Sequence, residues 1–441
     1  MLQLHKKGTI LVKLDEIIKI LQERNLFLTG GAGVGKSHMT NSIISAYRKE
    51  GKGVVALGST GVSAVNVGGF TVHSFFGFGI SSNFEELAQS DKRNKNRLRE
   101  LKKILNSTEL IIIDEISMIS TELMDMILYR LENLSYSGKL LMVGDFFQLP
   151  PIKKESAGLF GGMLFAFEST AWQRLDPAVV ELTEMKRTDD KEFTMILSKV
   201  RRGIFDDEVA AYMMELSNHD NVHNGKPTYL FGRNLEVEKM NRDSLNRIKE
   251  EEHILFASVE KFAHVNEKRL ESWKKVLPVN EQLTLKVGVP VLFTVNKWGK
   301  YVNGDRGILR GINDEYLLVE KGDEYIRVER HEFDLPDIVV DDEGSIKQVS
   351  LATLSQFPVK LAYAVTIHKS QGMSIDQLVC NVDNIFAPSQ FYVAISRARD
   401  PKQLKIDFNR GDLVQYLRRV IQVDERVERF YERMEDIQSS I

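Results

Sequence analysis

Apolar residues occur along the chain in two patterns, at helical spacing and in short continuous runs, and both patterns predict its first elements. Residues 26–29 form a short apolar run that predicts a buried strand, and a glycine-rich segment, 30–35, follows it. After this segment, residues 36–49 predict a helix that ends at Gly51. Helical spacing also predicts an opening and a closing helix, through Ile10, Leu11, Leu14, Ile17, Ile18 and Leu21, and through Val423, Val427, Phe430, Met434 and Ile437.

Three further apolar runs predict strands that join residues 26–29 in one parallel sheet, at residues 54–57, 110–113 and 140–143. Each run ends in small or polar residues, and open α/β sheets bind their ligands at that edge. A charged segment, 84–103, separates two of these strands and predicts an inserted subdomain.

A second set of candidate strands lies later in the chain, at residues 179–182, 228–231, 361–364 and 378–382. Residues 254–350 interrupt this set with short β-prone segments, at 283–285, 289–294, 307–310, 316–319 and 325–328. Turn residues separate these segments, at Asn303-Gly304, Gly311, Gly322 and 342–344. Short strands with frequent turns are typical of a small barrel, so the pattern predicts an α/β protein with a barrel inserted in its second sheet domain.

The composition is that of a globular protein and limits the possible partners. The chain has 441 residues, 43% hydrophobic and 27% charged, which at about 150 residues per domain suggests three domains. One cysteine excludes a disulfide within the chain. The net charge is −3, so a polyanion would need a local basic patch. No apolar run approaches the roughly 20 residues of a membrane span, and we expect no membrane partner and a cytoplasmic location.

The glycine-rich segment and the residues after it fit the pattern G-x-x-x-x-G-K-[ST], between a strand and a helix as that pattern requires. Glycines let backbone N–H groups surround phosphates, Lys36 supplies a cation to the β- and γ-oxygens, and the Ser37 hydroxyl can ligate Mg²⁺. The alternative is a plain glycine-rich turn, which the Lys-Ser pair disfavours. The predicted nucleotide-binding residues are Gly31, Ala32, Gly33, Val34, Gly35, Lys36, Ser37 and His38.

Carboxylates and an amide follow the next strands of the predicted sheet. Asp114 and Glu115 end the run 110–113, where Asp114 would hold Mg²⁺ and Glu115 would accept a proton from the attacking water. Gln148 follows the run 140–143 and could orient that water. The alternatives are a solvated acidic pair and an ordinary turn, and the nearby phosphate loop favours catalysis.

Two arginines, Arg187 and Arg397, lie in the region of the second predicted sheet. Arginines that reach the γ-phosphate contribute on the order of a thousandfold or more to the rate of phosphoryl transfer. Surface salt bridges are the alternative for each of them taken alone.

These motifs, in this order, resemble the superfamily-one group B DNA helicases, and most closely the RecD-related Pif-one type. The specific segments are 59–64 with 68–75, 302–304, 366–372 and 392–399, and the likeness covers about residues 27–404. The resemblance implies two RecA-like domains (1–74 with 107–181, and 182–253 with 351–408), a wedge subdomain (75–106), an inserted SH3-like barrel (254–350) and a helical tail (409–441). It also implies ATP- and Mg²⁺-dependent movement 5′-to-3′ on single-stranded DNA, unwinding of duplex, and family roles in DNA repair, recombination and telomere maintenance.

By the same resemblance, Gly372 belongs to the nucleotide site, and the DNA-contact residues are Thr60, Gly61, His73, Phe75, Asn303, Thr366, His368, Lys369 and Ser370. Hydroxyls and amides suit phosphates, and rings that stack on bases contribute about 1–3 kcal/mol each. Core packing is the alternative for Phe75 and for its neighbours Phe76 and Phe78. Seven basic residues within 92–103 could steer duplex DNA or form a solvated helix face, and the loop 297–301 could stack on DNA or pack on the barrel.

Functions besides that of a helicase remain open at this point. A nucleotide kinase would not explain the second set of strands with its arginines. An ATP-gated DNA-binding or recruiting module and an ATPase subunit of a nuclease complex would each be compatible with the motifs. The expected partners of a helicase are single-stranded DNA and duplex junctions, and we expect a monomer when the protein is free.

Overall fold

The protein is described from a computed structural model, which covers residues 13–79, 83–151, 164–219, 227–297, 299–341, 343–385, 387 and 389–439. Ile10 and Leu11 of the predicted opening helix and Trp298 of the loop 297–301 lie outside the described residues. The chain divides into two compact units. Unit 1 contains Met1–Lys186, Pro336–Val349 and Asp424–Ile441, and unit 2 contains Arg187–Leu335 and Ser350–Val423.

The helices and strands are numbered in chain order. The helices are α1 Leu14–Glu23, α2 Lys36–Lys49, α3 Gly61–Asn66, α4 Val72–Phe76, α5 Phe84–Arg93, α6 Lys95–Asn106, α7 Thr121–Asn133, α8 Thr170–Leu175, α9 Lys191–Arg201, α10 Asp207–Ser217, α11 Asn234–Asn246, α12 Glu267–Val276, α13 Gln390–Ile395, α14 Leu413–Val420 and α15 Glu425–Ser439. The strands are β1 Leu26–Thr29, β2 Val54–Gly58, β3 Phe70–Thr71, β4 Leu110–Asp114, β5 Lys139–Val143, β6 Ala178–Glu181, β7 Thr228–Phe231, β8 His253–Phe256, β9 Ser258–Lys261, β10 Gln282–Leu285, β11 Pro290–Phe293, β12 Arg306–Ile312, β13 Tyr316–Lys321, β14 Glu324–Glu329, β15 His331–Val340, β16 Ile346–Gln356, β17 Val359–Leu361, β18 Ala364–Thr366, β19 Leu378–Asn381 and β20 Leu404–Asp407.

Unit 1 is built on a parallel sheet with strand order β3-β2-β4-β5-β1-β6. Its central strands are apolar throughout because helices cover both faces of a parallel sheet, which confirms the predicted strands at 26–29, 54–57, 110–113 and 140–143. The prediction was wrong for 179–182, which is β6 and pairs with β1 in this first sheet, with Leu28 opposite Val180. A four-residue apolar run predicts a strand but does not specify which strand it pairs with.

Unit 2 contains a second parallel sheet, with order β18-β7-β19-β20, so the α/β class with two parallel sheets is confirmed. The predicted single strand 361–364 was wrong. The chain there forms two short strands, because β17 pairs with β11 whereas β18 pairs with β7. Tyr363 and Ala362, between them, are buried.

The region predicted as a barrel folds mainly as antiparallel sheets, with orders β14-β13-β12-β11-β17, β10-β8 and β15-β16-β9. The register of β12 on β13 shifts at Gly311, one of the predicted turn positions. The helix α12 and the long strands β15 and β16 were not predicted, since charged residues break their apolar periodicity. Within the part of the chain that the structure describes, no helix combines the length and the apolarity needed to cross a membrane.

Candidate nucleotide and DNA sites

The phosphate loop of unit 1 connects β1 to α2 and has a backbone that only glycine adopts readily. Gly30, Gly33 and Gly35 have φ values of 139°, 85° and 92°. A Cβ on Gly30 would lie 2.3 Å from the carbonyl oxygen of Leu182, so the loop also passes too close to its neighbour for a side chain. Lys186 donates its backbone N–H to Gly33 at 2.9 Å. The loop is therefore held open at the N-terminus of α2, where the helix dipole favours an anion.

The first side chains of α2 lie beside the phosphate loop. The Lys36 ammonium donates to the carbonyl oxygens of Gly30 at 2.7 Å and Gly31 at 3.0 Å. These bonds hold the cation across the mouth of its own loop. Ser37 and His38 are exposed in the first turn, whereas Ala32 and Val34 are buried and anchor the loop.

Two carboxylates lie together at the end of β4, which pairs with β2 on one side and with β5 on the other. Burial, with the neighbouring Glu115 carboxylate, raises the pKa of Asp114 to about 7, and the Lys36 ammonium partly opposes that rise. Glu115 adopts a left-handed conformation with φ of 54°, which is uncommon for a side chain of this size and turns the chain sharply after Asp114. The crowded negative charge is what a hard divalent cation with oxygen ligands would relieve.

The loop after β5 places Gln148 in a fixed, buried position. Its backbone N–H donates to the Asp145 carbonyl at 2.9 Å, and its side-chain amide lies 3.4 Å from the Asp145 carboxylate. Asp145 is fully buried and also accepts the Phe147 backbone N–H at 3.2 Å. β5 lies between β1 and β4 in the sheet, so Gln148 follows the strand between the phosphate loop and the acidic pair.

The predicted DNA contacts of unit 1 divide into accessible and buried residues. Thr60 caps α3 by accepting the Ser63 backbone N–H at 3.2 Å, and Gly61 is the first residue of that helix. His73 is partly exposed on α4. Phe75 is only 2% exposed and packs against Phe76 with ring centroids 4.9 Å apart. The Phe75 ring is part of the core, which favours the packing alternative over DNA contact.

Phe76 and Phe78 are also buried in this core, as the packing alternative predicts. Their rings stack with centroids 5.4 Å apart. The periodicity of this segment gives no inward and outward face, so the sequence alone could not separate the core rings from a stacking surface.

The two candidate arginines of unit 2 lie close together. Arg187 donates to Ser374 Oγ at 2.9 Å and to the Ser396 carbonyl at 2.5 Å. Arg397, 2% exposed, donates from Nε to the Val393 carbonyl at 2.9 Å. Burial, and then the charge of Arg397, lower the pKa of Arg187 to about 9. Two neighbouring guanidinium groups that are largely shielded from solvent form a local positive site, and a polyphosphate would neutralise this charge.

The segment 366–372 is a tight turn, and only part of it is accessible. Lys369 is exposed and His368 is partly exposed. Thr366 is 4% exposed and its hydroxyl accepts the Lys369 backbone N–H at 3.2 Å. Ser370 is fully buried and donates to the Ile367 carbonyl at 2.8 Å. Both hydroxyls shape the turn, so their burial disfavours DNA contact by the Thr366 and Ser370 side chains. Gly372 ends the segment with φ of 76°.

Asn303 begins a turn whose next residues tie it to the arginine motif. Its backbone N–H donates to Asn296 Oδ1 at 2.7 Å, and its own Oδ1 is buried without a partner among the described residues. Asp305 accepts from Arg399 at 3.1 Å and also pairs with the Lys321 ammonium. Sequence reasoning missed Asp305; its place directly after Asn303-Gly304 was the available signal.

The remaining candidates are surface features. Five residues of the basic cluster are exposed on α5 and α6, namely Lys92, Lys95, Arg99, Lys102 and Lys103, and the side chain of Arg93 is not described. In the loop 297–301, Tyr301 is buried and stacks on Phe293 at 4.0 Å, which favours barrel packing for that ring. Cys380 is buried in β19, where burial raises the pKa of its thiol. Among the described residues, no cluster of three or more His, Cys, Asp or Glu residues could hold a metal ion.

Comparison with known proteins accounts for both sheets and both sets of motifs. A family profile described as PIF1-like helicase matches residues 5–210, and one described as Helicase matches residues 338–421. The ATP-dependent DNA helicase Pif1 of Campylobacter jejuni is 40% identical over 433 residues, which are 95% of this chain and 97% of that protein.

Solved structures agree over the same length. Bacteroides sp Pif1 in complex with ADP-AlF4 matches with a TM-score of 0.82 and 27% identity, covering 97% of this chain and 98% of that one. Bacteroides Pif1 bound to ssDNA matches with a TM-score of 0.64 and 28% identity, covering 97% of each chain. The two parallel sheets are thus two RecA-like domains. Because the relatedness extends over almost the whole of both chains, this chain belongs to the PIF1-like helicase family.

Proposed function

We propose that the protein is an ATP-dependent DNA helicase, which hydrolyses ATP to move 5′-to-3′ along single-stranded DNA and separates duplex ahead of it. One observation carries the catalytic part of this proposal. The left-handed glycines of the phosphate loop and the Lys36 ammonium follow β1, and the Asp114–Glu115 pair ends β4, so these groups lie at the same edge of one parallel sheet with β5 between their strands. Family membership supports the DNA part.

In unit 1, each group has a role that follows from its chemistry. Backbone N–H groups of residues 31–35 and the Lys36 ammonium would bind the phosphates of ATP. Ser37 and Asp114 would hold Mg²⁺, which when bound neutralises charge that develops on the phosphate oxygens. Glu115 would take the proton of the attacking water. Gln148, held by Asp145, would orient that water.

In unit 2, Arg187 and Arg397 would meet the γ-phosphate when the nucleotide is bound, and Gly372 would let the backbone of its turn approach it. Arg187 is the better donor to a ligand, since its bonds to Ser374 and to one carbonyl can be exchanged for phosphate bonds. Arg397 is more deeply tied, with hydrogen bonds to Val393, Ser370 and Ser396. We therefore assign the larger catalytic effect to Arg187.

For the DNA track we retain the accessible members of the predicted set, which are Thr60, Gly61, His73, Asn303, His368 and Lys369. The hydroxyl, amides and ammonium would contact phosphates, and the imidazole rings would contact bases. Burial lowers the pKa of His368, so its ring is neutral at pH 7 and suited to stacking. Residues 75–106 would act as the wedge at a duplex junction, and the antiparallel sheets of residues 254–350 as the SH3-like insert.

ATP hydrolysis measured with and without a single-stranded oligonucleotide tests the proposal, followed by unwinding of duplexes with a 5′ or a 3′ single-stranded tail. We expect DNA to stimulate hydrolysis strongly and the protein to unwind only the 5′-tailed duplex. A hydrolysis rate that does not change on addition of the oligonucleotide would contradict ATP-driven movement along DNA. Stimulated hydrolysis without unwinding would favour an ATP-gated DNA-binding module or a subunit that needs other proteins.

A further inference from the structure

The last helix of the chain reaches the phosphate-loop end of the unit 1 sheet. Tyr431 of α15 is 7% exposed, and its hydroxyl lies 2.8 Å from the hydroxyl of Thr29. The same Tyr431 oxygen accepts the backbone N–H of Phe146 at 3.2 Å. One phenolic oxygen therefore contacts both β1 and the chain that leaves β5.

The positions of these two contacts matter. Thr29 is the last residue of β1 and directly precedes Gly30 of the phosphate loop. Phe146 lies two residues before Gln148. The strands pair up to Leu28 opposite Val143, and the chains then separate, one into the phosphate loop and the other into the Gln148 loop. Tyr431 connects these two segments directly after the last pair of the β1–β5 ladder.

Ring packing fixes Tyr431 in this place. Its ring stacks on Phe147, the residue next to Gln148, with centroids 4.5 Å apart and planes 16° from parallel. The neighbouring Phe430 stacks on Phe167 at 4.2 Å. A phenolic oxygen held by such packing has little freedom, so the bridge can set a distance as well as satisfy polar groups.

We infer that Tyr431 is a positioning residue for ATP hydrolysis, which sets the spacing between the phosphate loop and Gln148 and makes the C-terminal helix part of the nucleotide site. The inference deepens the proposed function and rests on it for the role of Gln148. A displacement of the order of 1 Å between a catalytic group and the reacting atoms can cost about a hundredfold in rate. Loss of the bridge allows a smaller displacement, and we expect a loss of about tenfold in kcat.

The competing interpretation is that Tyr431 only seals an apolar surface. Tyr136 provides the matched control, since it is a second tyrosine of unit 1 whose hydroxyl bonds to β5. Its hydroxyl donates at 3.0 Å to the carbonyl of Lys139, at the opposite end of that strand from Phe146. Tyr431→Phe and Tyr136→Phe thus each remove one phenolic oxygen, and the two oxygens bond to the backbone at opposite ends of β5.

The test compares kcat and KM for ATP, with the melting temperature, in the wild type, Tyr431→Phe and Tyr136→Phe. We expect Tyr431→Phe to lower kcat about tenfold with KM for ATP changed less than threefold, and Tyr136→Phe to leave kcat within twofold at a similar loss of melting temperature. Equal effects of the two variants on kcat, or no effect of Tyr431→Phe, would overturn the inference.

Thr29→Val gives a second, independent variant, because it removes the other hydroxyl and keeps the shape of the side chain. If the bridge acts through the pair of hydroxyls, Thr29→Val with Tyr431→Phe should be no slower than Tyr431→Phe alone. Additive losses would contradict the bridge. Each rate is measured relative to wild type both without and with DNA. The role of Tyr431 in ATP hydrolysis is therefore tested even if DNA does not stimulate hydrolysis.

Discussion

Asp91 accepts hydrogen bonds from both terminal nitrogens of Arg130, at 2.7 and 2.8 Å. The Arg130 side chain is 2% exposed and that of Asp91 is 23% exposed. The guanidinium also lies over the ring of Phe78, 5.6 Å from its centroid. Asp91 is on α5 and Arg130 on α7, so this pair fastens the proposed wedge to the first RecA-like domain.

We expect Asp91→Ala to lower the free energy of unfolding by about 3 kcal/mol, since it leaves a buried guanidinium without its counter-charge. Urea unfolding followed by circular dichroism measures this. Arg174→Ala is the control, because Arg174 and Glu132 form a pair in which both side chains are exposed, which contributes at most about 1 kcal/mol. Similar losses in the two variants would mean that the buried pair does not hold α5.

Glu115→Gln should bind ATP as the wild type does and fail to turn it over. The amide keeps the shape of the carboxylate at the end of β4 and removes its ability to accept a proton. Nucleotide binding by fluorescence and steady-state hydrolysis measure the two effects separately. Glu109→Gln, directly before the first residue of the same strand, should hydrolyse ATP normally. Wild-type turnover in Glu115→Gln would reject Glu115 as the base.

Arg187→Ala should lower DNA-stimulated kcat on the order of a thousandfold, as expected for a guanidinium that stabilises charge on the transferring phosphoryl group. Arg310→Ala is the control, since the exposed Arg310 side chain of β12 pairs with Glu320 of the adjacent strand β13. The rates of single-turnover hydrolysis distinguish this effect from slow product release. If Arg187→Ala loses less than about tenfold, its bonds to Ser374 and Ser396 are structural.

The parts predicted from sequence are those that depend on contiguous residues. The phosphate loop, Lys36 and the carboxylates after β4 follow from short patterns, because glycine conformations and a strand end are local properties. The bridge between Thr29 and Tyr431 joins residues 402 positions apart, and Asp305 meets Arg399 across 94 positions. No local pattern specifies such pairs, since packing of whole elements brings them together.

The sequence also leaves open which candidate DNA-contact residues are accessible. Phe75, Thr366 and Ser370 have suitable chemistry for DNA contact, but a ring or hydroxyl that suits a polynucleotide equally suits a core or a turn. The pattern around them lacks the alternation that would show which side faces solvent. Exposure, which only the folded chain defines, separates Lys369 from its buried neighbour Ser370.

The exposed basic cluster on α5 and α6 should contribute to DNA binding. Replacement of Lys95, Arg99 and Lys102 by Ala is expected to weaken binding and reduce the slope of log K against log salt by about 0.7 for each lost phosphate contact on single strands. Replacement of the exposed Lys249, Lys268 and Lys275 changes the net charge equally and controls for the overall field. An unchanged slope in the first variant would mean that the cluster is only a solvated face.

Lys360 on β17 should make the stability of the protein depend on pH. Burial, and then the charge of Lys369, lower the pKa of Lys360 to about 8, below the value of about 10.4 in an unfolded chain. The folded state therefore binds this proton less well than the unfolded state. The resulting cost is complete below pH 8, and it is removed as the pH rises towards 10.4.

Lys360→Met removes that cost, so the variant should be more stable than the wild type at pH 7.5, by up to about 3 kcal/mol. Its advantage should shrink by about 1.4 kcal/mol for each pH unit above 8, because there only the unfolded wild type keeps the proton. Urea unfolding of both proteins at pH 7.5, 8.5 and 9.5 measures this difference. Lys275→Met, at an exposed position on α12, is the control for replacing a lysine by methionine. An advantage of Lys360→Met that stays constant over this range would come from packing of the methionine and would contradict a lowered pKa.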